Sequence, residues 1–459
     1  MQVAIIADLP ADSTEAISNT YFLLPISRLP PEIITAIFQL NVRDPAPGKK
    51  PITPLYLGSI CQAWRHLVWS TPILWRDINL HVDASDSELA LLREWLLRAG
   101  TSPLDIMLRD QRNISRESLV SLQKRVLSTL ITRSTYWSSF TCMSLMSECY
   151  DTFQDAHFPI LKTIRIKAYL RPFLSFPRYD RPPPVAMFAQ SPQLTDLFLD
   201  HYPFDEAILL SNQIKMFGTS RIDVRYFLAI LQSFPRLETA YFGSIIPEPS
   251  SPYPLHIVSH NTLSFLRIAI HPEGARTLLD HIKLPSLVEF RIFTTRMRLS
   301  SITSFITRSG CSLKTFDLKI RLSEEDDLAA TFEALPTLVN LYLSFDAPTD
   351  FKHLKPEVIN ALNPIYRREG QPLLPNLTSL EYIDHIPDDC QLPFAQLTRE
   401  RWNRSEADLQ STSRAVARLQ SVKFISTDCT PELREVLLEL SSQGMKVEFE
   451  VSDLVLNAA

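Results

Sequence analysis

The chain has 459 residues, of which 45% are hydrophobic and 21% charged, a balance typical of globular proteins with more than one core. Its net charge of −5 argues against binding nucleic acid through a broad basic surface. Only 9 glycines occur, which disfavours the Gly-rich phosphate loops of nucleotide-binding folds, whereas 34 prolines divide the chain into short segments.

The six cysteines are scattered along the chain and form no C-x-x-C pair, which disfavours zinc sites of the finger or RING type. The first residues, MQVAIIADLPADS, lack the pattern of a signal peptide. No run reaches the roughly 18 apolar residues needed to span a bilayer. We therefore expect no membrane partner and a reducing compartment, the cytoplasm, the nucleus or both.

Residues 28–76 carry the signals of short helices, after a predicted flexible N-terminal extension over residues 1–27. Pro30 and Glu32 suit a helix start, and the apolar residues that follow are spaced to share one helix face. A polar loop then runs from Asp44 to Thr53. Thr53 and Pro54 open a single predicted second helix, LYLGSICQAWRHLVWS, and S-T-P-I-L-W ends the module in a short third turn.

This order of segments, LPPEI…IF, a loop, L-x-x-I-C-x-x-W-R-x-L and S-T-P-x-L-W, resembles the F-box in the form abundant in fungal F-box proteins. The loop is longer than in compact members of that family. In F-box proteins the helices pack against the Skp-type adaptor of cullin-containing ubiquitin ligases, so the resemblance implies this adaptor as partner. The implied adaptor-binding residues are Leu29, Pro30, Ile33, Ile34, Ile37, Phe38, Leu57, Ile60, Cys61, Trp64, Leu67 and Trp75. Alternatively, these residues only cap the following domain, and Trp64 and Trp75 are the first we would assign to a core.

After Trp75 the sequence alternates strand-like and helix-like segments, and a motif of the form L-x-x-L-x-L recurs. The motif begins at residues 161, 194, 237, 263, 287, 313, 338, 377 and 419, with a degenerate copy at 214. The central intervals of 26, 24, 26 and 25 residues match the leucine-rich-repeat period, although the usual Asn after L-x-L is missing. We predict an α/β fold, with a three-helix F-box followed over residues 77–459 by an irregular leucine-rich-repeat solenoid. A doubly wound parallel sheet is the alternative.

No nucleophile, metal-protease or P-loop motif occurs, so we expect no catalytic residues, no metal, no cofactor and no enzyme activity. His256 and His260 are four residues apart but are interpreted as surface histidines. His385, Asp388, Asp389 and Cys390 are interpreted as a solvated loop, and the acidic run from Glu324 to Asp327 as a helix start capped by Ser323.

In leucine-rich repeats the residue between the last two apolar positions of the motif faces the concave side. That column mixes aromatic and charged residues, which suits protein recognition. It comprises Arg165, Phe198, Tyr241, Arg267, Arg291, Asp317, Tyr342, Glu381 and Lys423. One hypothesis is that an acidic or phosphorylated segment of the target meets Arg267 and Arg291; the alternative is ordinary solvated charge.

Taken together, the resemblance and the repeats imply a substrate-recognition subunit of an SCF-type cullin ubiquitin ligase that binds an unidentified target protein. The alternative is a protein-interaction scaffold with the same fold that never enters a ligase. A hydrolase or metalloenzyme is the third possibility.

Overall fold

The computed structural model describes most of the chain between residues 29 and 451. The described ranges are 29–43, 52–81, 84–109, 116–168, 188, 191–200, 212–246, 256–270, 278–295, 297–321, 326–345, 356–363, 373–383, 386, 388–403, 416–426 and 429–451. The chain divides into two compact units, the first comprising Met1–Asp77 with Glu94–Ser102 and the second Ile78–Arg93 with Pro103–Ala459. The predicted N-terminal extension, 1–27, lies outside the described residues.

The first unit contains short helices. They are α1 (Pro31–Arg43), α2 (Pro54–Ile60), α3 (Gln62–Trp69) and a 3-10 turn, Pro72–Trp75. The prediction of one continuous second helix is wrong, because Cys61 is extended (φ −155°, ψ 166°) and separates α2 from α3. Its Sγ accepts a hydrogen bond from the Trp64 amide at 3.5 Å, so Cys61 caps the new helix.

Trp75 is the centre of the first unit's core. Its indole N–H donates to the Val68 carbonyl at 2.8 Å, and its ring meets Trp69 and Trp95 edge to face at 5.5 and 4.9 Å. The Arg98 guanidinium lies 4.8 and 5.2 Å from the Trp69 and Trp75 rings, within the range of cation–π attraction. A buried indole needs a partner for its N–H, and Trp75 has one within its own unit.

The second unit is built on a sheet that follows the chain. Its strands are β1 (Asp77–His81), β2 (Leu104–Arg109), β3 (Trp137–Leu145), β4 (Thr163–Ala168), β5 (Asp196–Asp200), β6 (Met216–Thr219), β7 (Ile222–Asp223), β8 (Thr239–Ile246), β10 (Phe265–Ile270), β12 (Glu289–Thr294), β13 (Thr315–Ile320), β14 (Asn340–Phe345), β15 (Ser379–Ile383), β16 (Ser421–Ser426) and β17 (Lys446–Val451); β9 (Val258–Ser259) and β11 (Ile282–Lys283) form a separate pair.

Helices connect many of these strands. They are α4 (Asp86–Ala99), α5 (Arg116–Ile131), α6 (Val224–Ser233), α7 (Leu299–Ser309), α8 (Leu328–Glu333), α9 (Pro356–Leu362), α10 (Asp388–Trp402) and α11 (Pro431–Ser442). A capping box begins α4, since the Ser85 amide donates to Glu88 at 2.7 Å and the Glu88 amide donates back to Ser85 Oγ at 3.3 Å. Among the described residues, no helix has both the length and the apolar character needed to cross a membrane.

Strand order along the sheet is sequential, and the pairings from β2 to β17 are parallel. A doubly wound sheet reverses its strand order at a switch point, and no reversal occurs among the described strands. The predicted α/β class is thus confirmed.

In each copy of the motif, the strand begins two residues after the first apolar residue of the motif. That first residue is buried in every copy: Leu161, Leu194, Ile214, Leu237, Leu263, Leu287, Leu313, Leu338, Leu377 and Leu419.

Before nine of the strands, from β4 to β15, one backbone carbonyl ties the strand to the next one along the sheet. The Lys215 carbonyl accepts from the amides of Glu238 and Thr239 at 2.8 and 3.0 Å, and the Glu238 carbonyl accepts from Ser264 and Phe265 at 2.9 and 3.1 Å. We call this pattern the shared-carbonyl ladder. Its acceptors are Lys162, Thr195, Lys215, Glu238, Ser264, Val288, Lys314, Val339 and Thr378. The ladder satisfies the backbone where each strand begins.

Polar side chains reinforce the ladder at the position just before the first apolar residue of the motif. Each donates to a backbone carbonyl of a preceding strand–helix segment, at 2.5 to 2.9 Å. The donors are Gln213, Thr262, Ser286, Thr337 and Asn376. These bonds, each worth about 0.5–1.5 kcal/mol, couple segments that lack the usual Asn of the motif.

Arg401 anchors the long segment between β14 and β16. Its guanidinium is fully buried and donates to the carbonyls of Leu362, Leu373 and Leu374 at 2.7 to 3.1 Å. Leu374 has φ +49°, a positive value that among the described non-glycine residues occurs only there. A planar fork of donors therefore ties this irregular turn to the end of α9.

We predict that Arg401→Lys lowers the free energy of unfolding by about 3 kcal/mol, because one ammonium cannot reach all three carbonyls and unsatisfied buried acceptors cost about 1–3 kcal/mol each. Urea unfolding measures the change. The matched control on the same helix is Arg399→Lys, whose partly exposed ion pair with Glu439 should change stability by less than about 1 kcal/mol. Equal losses in both variants would contradict the anchoring role.

Candidate functional site

The outer side of α1 carries a line of apolar residues. Ile33, Ile37 and Leu40 lie at i, i+4 and i+7, and Ile33 and Leu40 are 49% and 67% exposed. Ile34 and Phe38, by contrast, are buried. At 100° per residue the two sets occupy separate lines of the helix, so α1 packs on one side and leaves apolar surface on another.

A second group of exposed apolar residues lies on α2. Tyr56 and Ile60 are one helical turn apart and are 60% and 51% exposed, and Cys61 follows them in an exposed position. Leu29 and Pro30, just before α1, are also exposed. Exposed apolar residues grouped on one small unit indicate a surface for a partner.

The predicted adaptor-binding residues divide by burial. Exposed are Leu29, Pro30, Ile33, Ile60 and Cys61; half-buried are Ile37, Trp64 and Leu67; buried are Ile34, Phe38, Leu57 and Trp75. The buried set holds the unit together, with the Phe38 ring 4.7 Å from that of Trp64. Sequence reasoning missed Leu40 and Tyr56, although helical spacing from Ile33 and from Ile60 could have found them.

The strands of the second unit place the predicted substrate column on one face of the sheet, here called the open face. Adjacent strands pair Arg165 with Phe198, Tyr241 with Arg267, and Arg291 with Asp317. In full, the paired positions run Met107, Thr141, Arg165, Phe198, Gly218, Tyr241, Arg267, Arg291, Asp317, Tyr342, Glu381, Lys423 and Glu448. Met107, Thr141, Gly218 and Glu448 are new to the predicted column.

The later part of the open face neutralises its own charges. Arg291 donates from Nε to Glu289 at 2.7 Å, and Lys423 lies 3.2 Å from Glu381. Burial raises the pKa of Asp317, against the opposing charge of Arg291 and Arg267. The hypothesis that Arg267 and Arg291 together receive an anionic segment is therefore weakened, since Arg291 is already paired.

Aromatic rings cover the earlier part of the open face. The Arg165 guanidinium lies 4.4 Å from the Phe198 ring centre. Phe198 and Tyr241 approach at 6.1 Å across the intervening strand, and Tyr241 lies 4.9 Å from Phe265. A Cβ on Gly218 would come within 2.3 Å of the Phe198 ring, so glycine is what lets that ring lie over β6.

These residues surround a depression of about 480 Å³, the open-face pocket. Arg165, Lys167, Asp200 and Arg267 supply its charged lining. A Cβ on Gly243 would lie 2.8 Å from the Ser220 carbonyl oxygen, which is backbone and cannot move aside as a side chain can. Sequence reasoning did not find this pocket, because its two glycines are meaningful only once strand register is known.

His260 is buried, so its interpretation as a surface histidine is wrong. Its Nε2 lies 2.9 Å from the Phe234 carbonyl, and its Nδ1 accepts from the Leu263 amide at 3.2 Å. Burial lowers its pKa, against the opposing effect of the bond to Phe234. The ring is therefore a neutral connector between strand–helix segments, with the proton on Nε2.

The two clusters of acidic residues singled out from the sequence also have structural roles. Asp388 begins α10 and Cys390 is buried within it, so the predicted solvated loop is wrong; His385 lies outside the described residues. Asp327 caps α8 by accepting from the amides of Ala329 and Ala330 at 2.9 and 3.2 Å. The predicted cap, Ser323, lies outside the described residues.

No family model matches the chain, and no curated protein matches it. One solved structure that matches is the crystal structure of a Bacteroides fragilis protein, with 13% sequence identity and a TM-score of 0.29. The match covers 64% of this chain and 66% of that one, just under two thirds of the other protein's length. This remote likeness carries no information on function.

We predict that acid weakens the stabilising role of His260. Because its folded pKa lies below the unfolded value of about 6.5, the unfolded state binds the proton first, and stability is lost as pH falls below about 6.5. The stability difference between wild type and His260→Gln should therefore shrink between pH 7.5 and pH 5, as measured by urea unfolding. His256→Gln, at the exposed neighbour, is the control; parallel pH profiles for wild type and His260→Gln would contradict the assignment.

Proposed function

We propose that this chain is the substrate-recognition subunit of an SCF-type cullin ubiquitin ligase. In this proposal residues 28–76 are an F-box that docks on a Skp-type adaptor, and residues 77–459 are a leucine-rich-repeat domain that holds the target protein. The observation that carries the proposal is the exposed apolar surface of α1 and α2, which lies within the segments whose order resembles the F-box.

The exposed residues have the character of interface anchors. Burying a leucine or isoleucine side chain stabilises a complex by about 1.5–3 kcal/mol, and Ile33, Leu40 and Ile60 leave much of this unrealised in the free chain. A few such anchors commonly dominate an interface. A Skp-type adaptor covering α1 and α2 would remove this surface from water.

The second unit supports the repeat-domain half of the proposal. Its parallel strands follow the chain, its central period is close to 25 residues, and the shared-carbonyl ladder repeats from one segment to the next. Such nearest-neighbour contacts are typical of solenoid proteins. Tyrosine and arginine, which recur on the open face, are preferred at protein interfaces.

Three of the described thiols favour a role in holding a target over a role in bond chemistry. Burial raises the pKa of Cys149 to about 12 and that of Cys311 to about 11, and burial also raises the pKa of Cys429. Thiols protonated at neutral pH are poor nucleophiles. In this proposal the chain contributes proximity, and its partners transfer ubiquitin.

We predict that Leu40→Lys lowers capture of a co-expressed Skp-type adaptor at least tenfold, a loss of about 1.4 kcal/mol or more, because a charge replaces an apolar anchor. The matched control is Leu438→Lys on α11, where the leucine is 62% exposed, close to the 67% of Leu40. Lysine is a good helix former and suits the last turns of both helices, so folding should be retained.

The set of proteins captured by the chain distinguishes a ligase subunit from an interaction scaffold. Failure of the wild-type chain to capture the adaptor would reject the proposal. Capture of the adaptor without a cullin would favour the scaffold, which needs the same helices. Equal loss in Leu40→Lys and Leu438→Lys would show that α1 is not the docking surface.

A further inference from the structure

We propose that the open-face pocket binds an extended peptide segment with an acidic or phosphorylated residue at each end and apolar residues on the same face between them. This inference rests on the proposed function, because it names the class of target segment for the face assigned there to the target. Carboxylate and phosphate share the relevant chemistry, since both are anions that accept paired hydrogen bonds from arginine.

The charge of the pocket favours an anionic ligand. Its lining contains three cationic side chains, Arg165, Lys167 and Arg267, and one carboxylate, Asp200, which leaves a net charge of +2. Asp200 already accepts from the Ser220 amide at 2.5 Å. Within the part of the chain that the structure describes, no carboxylate lies within ion-pairing distance of any of the three cations.

Both arginines are held in place before any ligand arrives. The Arg165 guanidinium lies 4.4 Å from the Phe198 ring centre, and that of Arg267 lies 5.1 Å from the Phe293 ring centre. Attraction to a ring limits the motion of a guanidinium while leaving its N–H donors for a carboxylate or phosphate. Less side-chain entropy is then lost on binding.

The spacing of the arginines sets the length of the segment. Arg165 on β4 and Arg267 on β10 are separated by four strand-to-strand steps, about 19 Å at roughly 4.8 Å per step. An extended peptide covers that distance in about six residue steps at roughly 3.3 Å each. Anionic residues at positions 1 and 7 of a peptide would therefore reach both arginines.

The middle of the pocket favours an apolar residue. Phe198 and Tyr241 line it, and the missing side chains of Gly218 and Gly243 provide its depth. At positions 3 and 5, which share the face of positions 1 and 7 in an extended peptide, leucine would lie against these rings and bury apolar surface. On the later strands Arg291 is paired with Glu289 and Lys423 with Glu381, so these two cations are less available to an anionic ligand.

The test uses immobilised seven-residue peptide mixtures and the purified full chain. Positions 1 and 7 are both Asp, both phosphoserine or both Asn; positions 3 and 5 are both Leu or both Gly; the other positions are equimolar mixtures. We expect at least tenfold more protein bound to anionic than to Asn-ended mixtures, severalfold more with Leu than with Gly, and a decline with added salt. The Asp and phosphoserine arms show which anion is preferred.

Variants assign the binding to the pocket. Arg165→Gln and Arg267→Gln should each lower binding about tenfold, whereas Arg434→Gln on α11, outside the pocket, should leave it unchanged. Equal binding of Asn-ended mixtures, absence of binding, or retention by both pocket variants would overturn the inference. Adaptor capture is scored separately on the same preparations, so peptide binding without adaptor capture would reject the proposed function and leave this inference standing.

Discussion

The second unit depends on one repeated interaction, in which a single backbone carbonyl accepts two amides from the next segment along the sheet. Each acceptor fixes where the following strand begins, and a shift of one residue would turn every alternating side chain to the opposite face. The open face is therefore positioned by backbone atoms.

The same interaction explains how segments of unequal length share one sheet. The Val339 carbonyl accepts from the amides of Thr378 and Ser379 at 2.9 and 3.1 Å. Thr378 lies 39 residues after Val339, yet these distances match those of the ladder bonds across segments of 24 to 26 residues. Arg401, which follows β15 in the chain, binds the carbonyls of Leu362, Leu373 and Leu374, which precede β15, so a buried charge stabilises the exceptional turn.

Much of this fold was predictable, because burial of every second strand residue leaves a local pattern of leucines. The features that sequence missed depend on partners far along the chain. Cys61 interrupts a helical pattern that continues across it, and His260 bonds to Phe234, 26 residues earlier. The column of the candidate site followed from strand alternation, whereas the Arg291 ion pair requires side-chain geometry. On α1, sequence gave the apolar residues but not which of them face outward.

The two glycines of the open-face pocket carry a consequence for how such a surface can change. In a chain with only 9 glycines, Gly218 and Gly243 shape the surface by lacking side chains, one beneath a ring and one against a neighbouring backbone. A side chain at Gly218 would displace only the Phe198 ring, whereas one at Gly243 would collide with the backbone of Ser220. The first position can therefore change what the surface recognises while the scaffold stays as it is, and the second cannot.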